Sequence, residues 1–249
     1  MRLTVVGCGD AFGSGGRLNT CFHLSGRTTS FLIDCGASAL VGMKRCGVDP
    51  GEVDAVVVSH LHGDHFAGLA FLIRETQIAA QRSKPLTIVG PPGVERRTCD
   101  VMELLFPGSS AAQTFALHFL EYRESEPLLA GPLTIEAAAV VHTAGTAAHG
   151  VRITCDGVVV AYTGDTEWTD SIVRLSAQTD LLIAEAYTFD RRVTNHLSFE
   201  TLMHERHRLG CRQLLLTHMS DEMLALSSAV PEGAALVAYD GMELELGGA

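Results

Sequence analysis

The chain reads as an α/β protein made of two β-rich halves packed face to face, with helices on the outside. Three observations predict this. Short apolar runs of strand length recur from one end to the other; helical patterns are fewer and interleave with them; and turn signals such as Gly90-Pro91-Pro92-Gly93 and Asp156-Gly157 separate the two without any linker or low-complexity segment. Layers of that kind bury each sheet on both faces. At 249 residues the chain suits one domain, 1–249, with a core large enough to need no disulfide staples.

In chain order, β-branched and apolar runs place strands at 3–6, 21–24, 30–34 and 55–58, followed by 86–89 and 117–122. A helix at 37–46 fills the gap before the fourth strand, and Phe66-Ala67-Gly68-Leu69-Ala70-Phe71-Leu72-Ile73 opens a mostly apolar helix over 65–81. A further helix over 93–105 separates the fifth and sixth strands. The second half repeats the scheme, with strands at 133–141, 151–154, 158–162, 180–184, 213–217, 235–238 and 242–246. Its helices are expected at 169–177, 198–209 and 221–228.

The densest chemistry lies at His60-Leu61-His62-Gly63-Asp64-His65, directly after the apolar run Ala55-Val56-Val57-Val58-Ser59. Residues two apart in an extended segment share a face, so His60 and His62 are able to grip one cation together, and Asp64 with His65 another. Two metals need more ligands, and the rest of the chain offers His142, Asp165 and His218. Each follows a buried-strand pattern: Ala137-Ala138-Ala139-Val140-Val141, Val159-Val160-Ala161-Tyr162-Thr163-Gly164 and Leu214-Leu215-Leu216-Thr217. A strand end presents a polar ligand on a rigid support without burying an unpaired charge.

In these residues the sequence resembles the metallo-β-lactamase fold superfamily over nearly its entire length. Phe31-Leu32-Ile33-Asp34-Cys35-Gly36, His60 to His65, Thr163-Gly164-Asp165-Thr166 and Thr217-His218 occur in that superfamily's order. The branch it resembles most is the ribonuclease Z-like phosphodiesterases, because Leu181-Leu182-Ile183-Ala184-Glu185-Ala186 and Asn195-His196-Leu197-Ser198 lie between Asp165 and His218. The resemblance implies a four-layer αββα sandwich. It also implies one metal on His60, His62 and His142, a second on Asp64, His65 and His218, and Asp165 bridging both. Two zinc ions suit imidazole and carboxylate ligands, with manganese or iron as alternatives.

Two departures from the family pattern stand out. Ala184 replaces the His that usually precedes the glutamate, and Leu197 interrupts the usual His-Ser-Thr run. The short stretch between His142 and Asp165 is filled by strand, turn and strand, with no room for the protruding arm that grips tRNA. The mechanism expected is attack by metal-held hydroxide. In it Asp64 orients the nucleophile and His196, held by Glu185, protonates the leaving alkoxide.

Charge narrows the partners. A formal −11, only partly offset by two dications, repels a long nucleic acid, whereas a metal-bearing cleft still accepts a small anionic phosphodiester. Seven cysteines in odd number without C-x-x-C spacing read as free thiols of a reducing cytoplasm. The first residues, Met1-Arg2-Leu3-Thr4-Val5-Val6-Gly7, look like a strand rather than a signal peptide, and no apolar stretch reaches membrane-spanning length. The surface helices show no clear dimer seam, so a homodimer stays open.

Several polar residues have bland readings. The opening Gly7-Cys8-Gly9-Asp10-Ala11-Phe12-Gly13 fails as a nucleotide fingerprint because Phe12 holds the third glycine position and a strand follows; it reads as a loop under the site. His204 and His207 beside Glu200 and Glu205 suit a solvated helix face, and His23 and His118 suit ordinary strand positions. His149, Arg17, Arg191 and Arg192 divide between substrate contacts and plain structural or solubility roles. The function expected is hydrolysis of a small or cyclic phosphodiester. Its rivals are tRNA 3′-processing, thioester or lactone hydrolysis on the same metal core, and a metal-bearing binding protein without turnover.

Overall fold

The computed structural model describes residues 1–123, 126–143, 145 and 147–247. Two seven-stranded sheets face each other. The first holds β1 (Arg2–Gly7), β2 (Cys21–Ser25), β3 (Ser30–Ile33), β4 (Ala55–Val57), β5 (Leu86–Gly90) and β6 (Leu117–Glu121). The second holds β7 (Leu128–Ala130), β8 (Leu133–Ala139), β9 (His149–Cys155), β10 (Val158–Tyr162), β11 (Leu181–Glu185), β12 (Gln213–Thr217) and β13 (Leu236–Val237). β14 (Glu243–Glu245) returns to the first sheet and pairs antiparallel with β1. The order is β14-β1-β2-β3-β4-β5-β6 in one and β13-β12-β11-β10-β9-β8-β7 in the other.

Period-two alternation assigns each strand's faces. On β3, Phe31 and Ile33 enter the core between the sheets while Leu32 turns outward; on β11, Leu181 and Ile183 point inward while Leu182 and Ala184 turn outward. The outward apolar residues are covered by helices. α1 (Ala39–Arg45), α3 (Gly68–Ile78) and α4 (Val94–Leu105) contribute Met43, Leu72, Ile73 and Met102 on the first sheet. α5 (Asp170–Ser176), α6 (Phe199–His204) and α7 (Asp221–Ala225) contribute Ile172, Leu202 and Met223 on the second. The result is the αββα sandwich expected from sequence.

Several boundaries differ from expectation, each for a local reason. The helix over 65–81 is two pieces, α2 (Gly63–Phe66) and α3, because the Gly68 N–H bonds Cys35 O at 2.9 Å instead of continuing the ladder. A Cβ on Gly68 would lie 2.1 Å from the Gly36 carbonyl oxygen, so only glycine fits there. The helix over 198–209 ends as α6 at His204 and tightens into a 3₁₀ turn, Arg206–Arg208. The helix over 221–228 likewise stops at Ala225. The strand over 133–141 leaves the ladder after Ala139, because the Val141 N–H goes to Thr166 Oγ1. The three-residue β7, pinned by its antiparallel register with β8, was too short to read. Among the described residues no helix is long and apolar enough to cross a membrane.

This topology gathers the chemistry at one rim. β3 to β6 run parallel, as do β10 to β13, and β8 and β10 both pair antiparallel with β9, so these strands end on the same edge. The residues just past β4, β8, β10 and β12, and the last residue of β11, therefore converge.

Candidate metal centre

Two groups of ligand atoms meet at that rim. His60, His62 and His142 form one; Asp64, His65, Asp165 and His218 form the other, with ligand atoms in each group within 4.8 Å of one another. Asp165 Oδ2 lies between them, 3.3 Å from His65 Nε2 and 3.2 Å from His218 Nε2 on one side. On the other side it is 3.8 Å from His60 Nε2 and 3.9 Å from His142 Nε2. All the residues the sequence proposed as ligands are thus brought together.

The donor set fits divalent cations. Burial depresses the His60, His142 and His218 imidazoles, which favours the neutral form that ligates. His65 Nε2 and Asp165 Oδ1 are buried without a hydrogen-bond partner among the described residues, a cost that a bound cation removes.

The residues behind the ligands set their tautomers. Asp34 is fully buried at the end of β3 with φ 56°, and accepts from Ser59 N at 2.7 Å, Ser59 Oγ at 2.8 Å and His65 Nδ1 at 2.7 Å. A Ser59 hydroxyl that donates to Asp34 keeps a lone pair for the His60 Nδ1–H, 3.1 Å away. Both rings then present a bare Nε2 to the centre. His142 Nδ1 donates to Asn195 O at 2.9 Å, which frees its Nε2 in the same way. His218 sits at φ 55°, a sparsely populated conformation held by its N–H bond to Cys8 O at 3.1 Å. The Gly-rich opening is therefore the support under His218 and makes no nucleotide cradle.

Beside the two groups, His196 Nδ1 and Glu185 Oε2 share a hydrogen bond of 2.9 Å. Glu185 is fully buried at the end of β11, and its other oxygen accepts from Thr166 N. Burial pushes the Glu185 carboxyl up to about 8. Burial opposes charge on His196 too, but the Glu185 bond and the nearby Asp165 and Asp64 outweigh it and raise its imidazole. Their hydrogen bond couples the protonation of the two groups. A ring nitrogen of His196 also lies within 4.8 Å of His142 and Asp165 ligand atoms; with Nδ1 engaged, Nε2 is the one left for the cleft. A cavity of about 540 Å³ opens beside it, lined in part by Trp168, Arg192, Glu200 and Thr201.

Other sequence candidates fall elsewhere. His149 is buried as the first residue of β9, with its ring 5.1 Å from that of Tyr122. Arg17 donates to Ala238 O at 2.7 Å, and Arg191 makes an exposed ion pair with Glu222 at 2.8 Å. Arg192 is exposed at the cavity wall. His204 and His207 are exposed, and His23 is buried against Ser30 Oγ at 2.8 Å. Sequence reading missed Asp34, Ser59 and Asn195 as supports. A carboxylate closing the apolar run Phe31-Leu32-Ile33 was the available signal for the first.

Residues 29–219 match the family model described as the beta-lactamase superfamily domain. The chain belongs to that superfamily. The probable metallo-hydrolase YhfI of Bacillus subtilis (strain 168) is 28% identical over 88% of this chain and 87% of its own. Ribonuclease Z of Mycobacterium bovis (strain BCG / Pasteur 1173P2) is 28% identical over 88% of this chain and 85% of its own. The crystal structure of the metallo-beta-lactamase fold protein YhfI from Bacillus subtilis superposes with a TM-score of 0.77 at 25% identity, covering 98% of this chain and 99% of that one. The superfamily assignment makes this chain a metallo-hydrolase.

Proposed function

We propose that the chain is a single hydrolase domain, 1–249, that cleaves a small or cyclic phosphodiester with two divalent cations, zinc first among them. The observation that carries the reading is the Glu185–His196 pair beside the shared carboxylate of Asp165. Ester and lactone hydrolysis needs no such dedicated proton donor as much as phosphodiester cleavage does, because an unactivated alkoxide leaves phosphorus poorly.

His60, His62 and His142 would hold one cation, Asp64, His65 and His218 the other, and Asp165 both. Such a pair, when bound, supplies Lewis-acid polarisation and water activation at neutral pH. The free oxygen of Asp64 orients the attacking water in line with the leaving group. The water oxygen forms the new P–O bond, the bond to the leaving oxygen breaks, and His196 Nε2 gives that oxygen its proton. Water's surplus proton passes to solvent. Glu185 holds Nδ1 and steadies the imidazolium before transfer.

The ribonuclease Z relatives favour a second reading, tRNA 3′-end processing. The −11 charge and the β9–turn–β10 hairpin that occupies the stretch after His142 favour the small substrate.

The test is turnover of bis(p-nitrophenyl) phosphate, 2′,3′- and 3′,5′-cyclic nucleotides, a precursor tRNA, a thioester and a lactone by metal-quantified protein. Diester turnover at two metals per chain is expected, lost in Asp165→Ala together with metal. His196→Ala keeps its metal and loses about 10²- to 10⁴-fold on alkyl diesters. Turnover of the thioester or lactone alone would refute the reading.

A further inference from the structure

A proton donor must be aimed as well as charged, and the Glu185 bond aims His196 only in part. With the bond to Cβ, the hydrogen bond at Nδ1 sets the mean plane of the imidazole, but χ2 of histidine is a broad torsion and the ring can still librate about it. A contact against the ring face narrows that libration. Tyr187, two residues past the end of β11, supplies one. Its ring lies on that of His196 with centroids 4.6 Å apart and planes 29° apart. Among the described residues, the other rings around His196 are those of His142, 5.2 Å away and edge-on, and His218, 5.7 Å away and stacked with planes 14° apart; Tyr187 is the nearest of the three and the one that is not a candidate metal ligand.

We propose that Tyr187 is a positioning residue whose ring pins the His196 imidazole, so that Nε2 meets the leaving oxygen of diesters whose alcohol needs a proton. This rests on the phosphodiesterase reading and refines it: the enzyme is built for unactivated alkyl leaving groups. The backbone supports a role for the side chain that is separate from folding. Tyr187 N donates to Leu197 O at 2.9 Å and Tyr187 O accepts from Ser220 N at 3.0 Å. These bonds tie the loop of His196 to the loop following His218, and a side-chain substitution leaves them in place. Aromatic contacts of this kind add to area burial and strengthen when the partner ring is cationic.

The experiment uses zinc-loaded protein and two diesters that share one body. One carries p-nitrophenolate, which departs without a proton, and the other a simple alkoxide, which does not. Tyr187→Leu is expected to lower kcat on the alkyl ester by about tenfold and on the p-nitrophenyl ester by less than about twofold, while Tyr187→Phe stays near wild type on both. In a His196→Ala background, Tyr187→Leu should add nothing. Equal losses on both esters, or a loss that persists without His196, would overturn the proposal in favour of a general structural role. A Tyr187→Phe loss as deep as that of Leu would overturn it in favour of the hydroxyl. The NMR signals of the His196 ring give a readout independent of turnover: the part of the ring-current shift that Tyr187 supplies, present in wild type and Tyr187→Phe, should be lost in Tyr187→Leu, leaving that of the neighbouring histidines. If wild type cleaves neither diester, the phosphodiesterase reading fails, and the NMR arm alone decides whether Tyr187 holds the ring.

Discussion

Asp34→Asn should unsettle two candidate ligands, His60 and His65, at once, although Asp34 belongs to neither candidate group. The carboxylate now accepts three hydrogen bonds, one on Oδ1 from Ser59 N and two on Oδ2 from Ser59 Oγ and His65 Nδ1. Asparagine replaces one of those oxygens with an NH₂ donor. With nitrogen in the Oδ1 position, two donors face each other at 2.7 Å in a fully buried site. With nitrogen in the Oδ2 position, the amide donates to His65 Nδ1 and moves that ring's proton to Nε2, where it points at Asp64 and Asp165 at 3.1 and 3.3 Å. Ser59, no longer donating to residue 34, is then free to turn its proton toward His60 Nδ1 and switch that ring as well.

The cost of losing such a supporting bond is on the order of 10- to 100-fold in metal affinity. That is about 1.4 to 2.7 kcal/mol. A competition titration of zinc against a chromophoric chelator, with circular dichroism to verify that the variant is folded, measures it. Unchanged affinity in folded Asp34→Asn would show that the tautomers are set by something other than this carboxylate.

Two further outcomes follow from the packing. Burial, aided by Arg2, lowers the His23 imidazole from 6.5 to about 4. The unfolded chain therefore binds this proton first, and stability falls as pH drops from about 6.5 to about 4, by roughly 3 kcal/mol in total. His23→Gln removes this slope, so urea denaturation of the two proteins across that window should give stability curves that diverge; parallel curves would refute the assignment. Gly164 has φ 62°, and a Cβ there would stand 2.7 Å from the His149 carbonyl oxygen. Gly164→Ala should cost roughly 1 to 3 kcal/mol in denaturation and displace Asp165, with weaker metal binding as the second readout.

The candidate ligands that the fold brings together were legible because they fall just after apolar runs, a pattern local in sequence. Asp34 to Ser59 to His65 was not, since its meaning lies in contacts among three segments that only the β3–β4 pairing brings together. The break between α2 and α3 was hidden for a related reason. An apolar stretch with helical spacing gives no sign that the Gly36 backbone passes where a side chain of residue 68 would stand. Tyr187 looked like any residue after a strand; its contact with His196 depends on how two loops fold back on each other.

Those loops also join the candidate ligand His142 to the candidate acid His196. Asn195 accepts from His142 Nδ1 through its carbonyl and donates its own N–H to Glu167 Oε1 at 2.8 Å, and the next residue is His196. Asn195 holds φ 69°, a conformation asparagine tolerates better than most residues, so the turn that aims its carbonyl at His142 also sets where His196 begins. Any shift of His142 is thus passed, through one rigid peptide, to the ring that Glu185 and Tyr187 hold. On the proposed reading, a change in the His60, His62 and His142 group would also displace the candidate acid His196. Binding and chemistry in this protein should therefore fail together when Asn195 is replaced by a residue that resists a positive φ, such as valine, and much less when it is replaced by glycine.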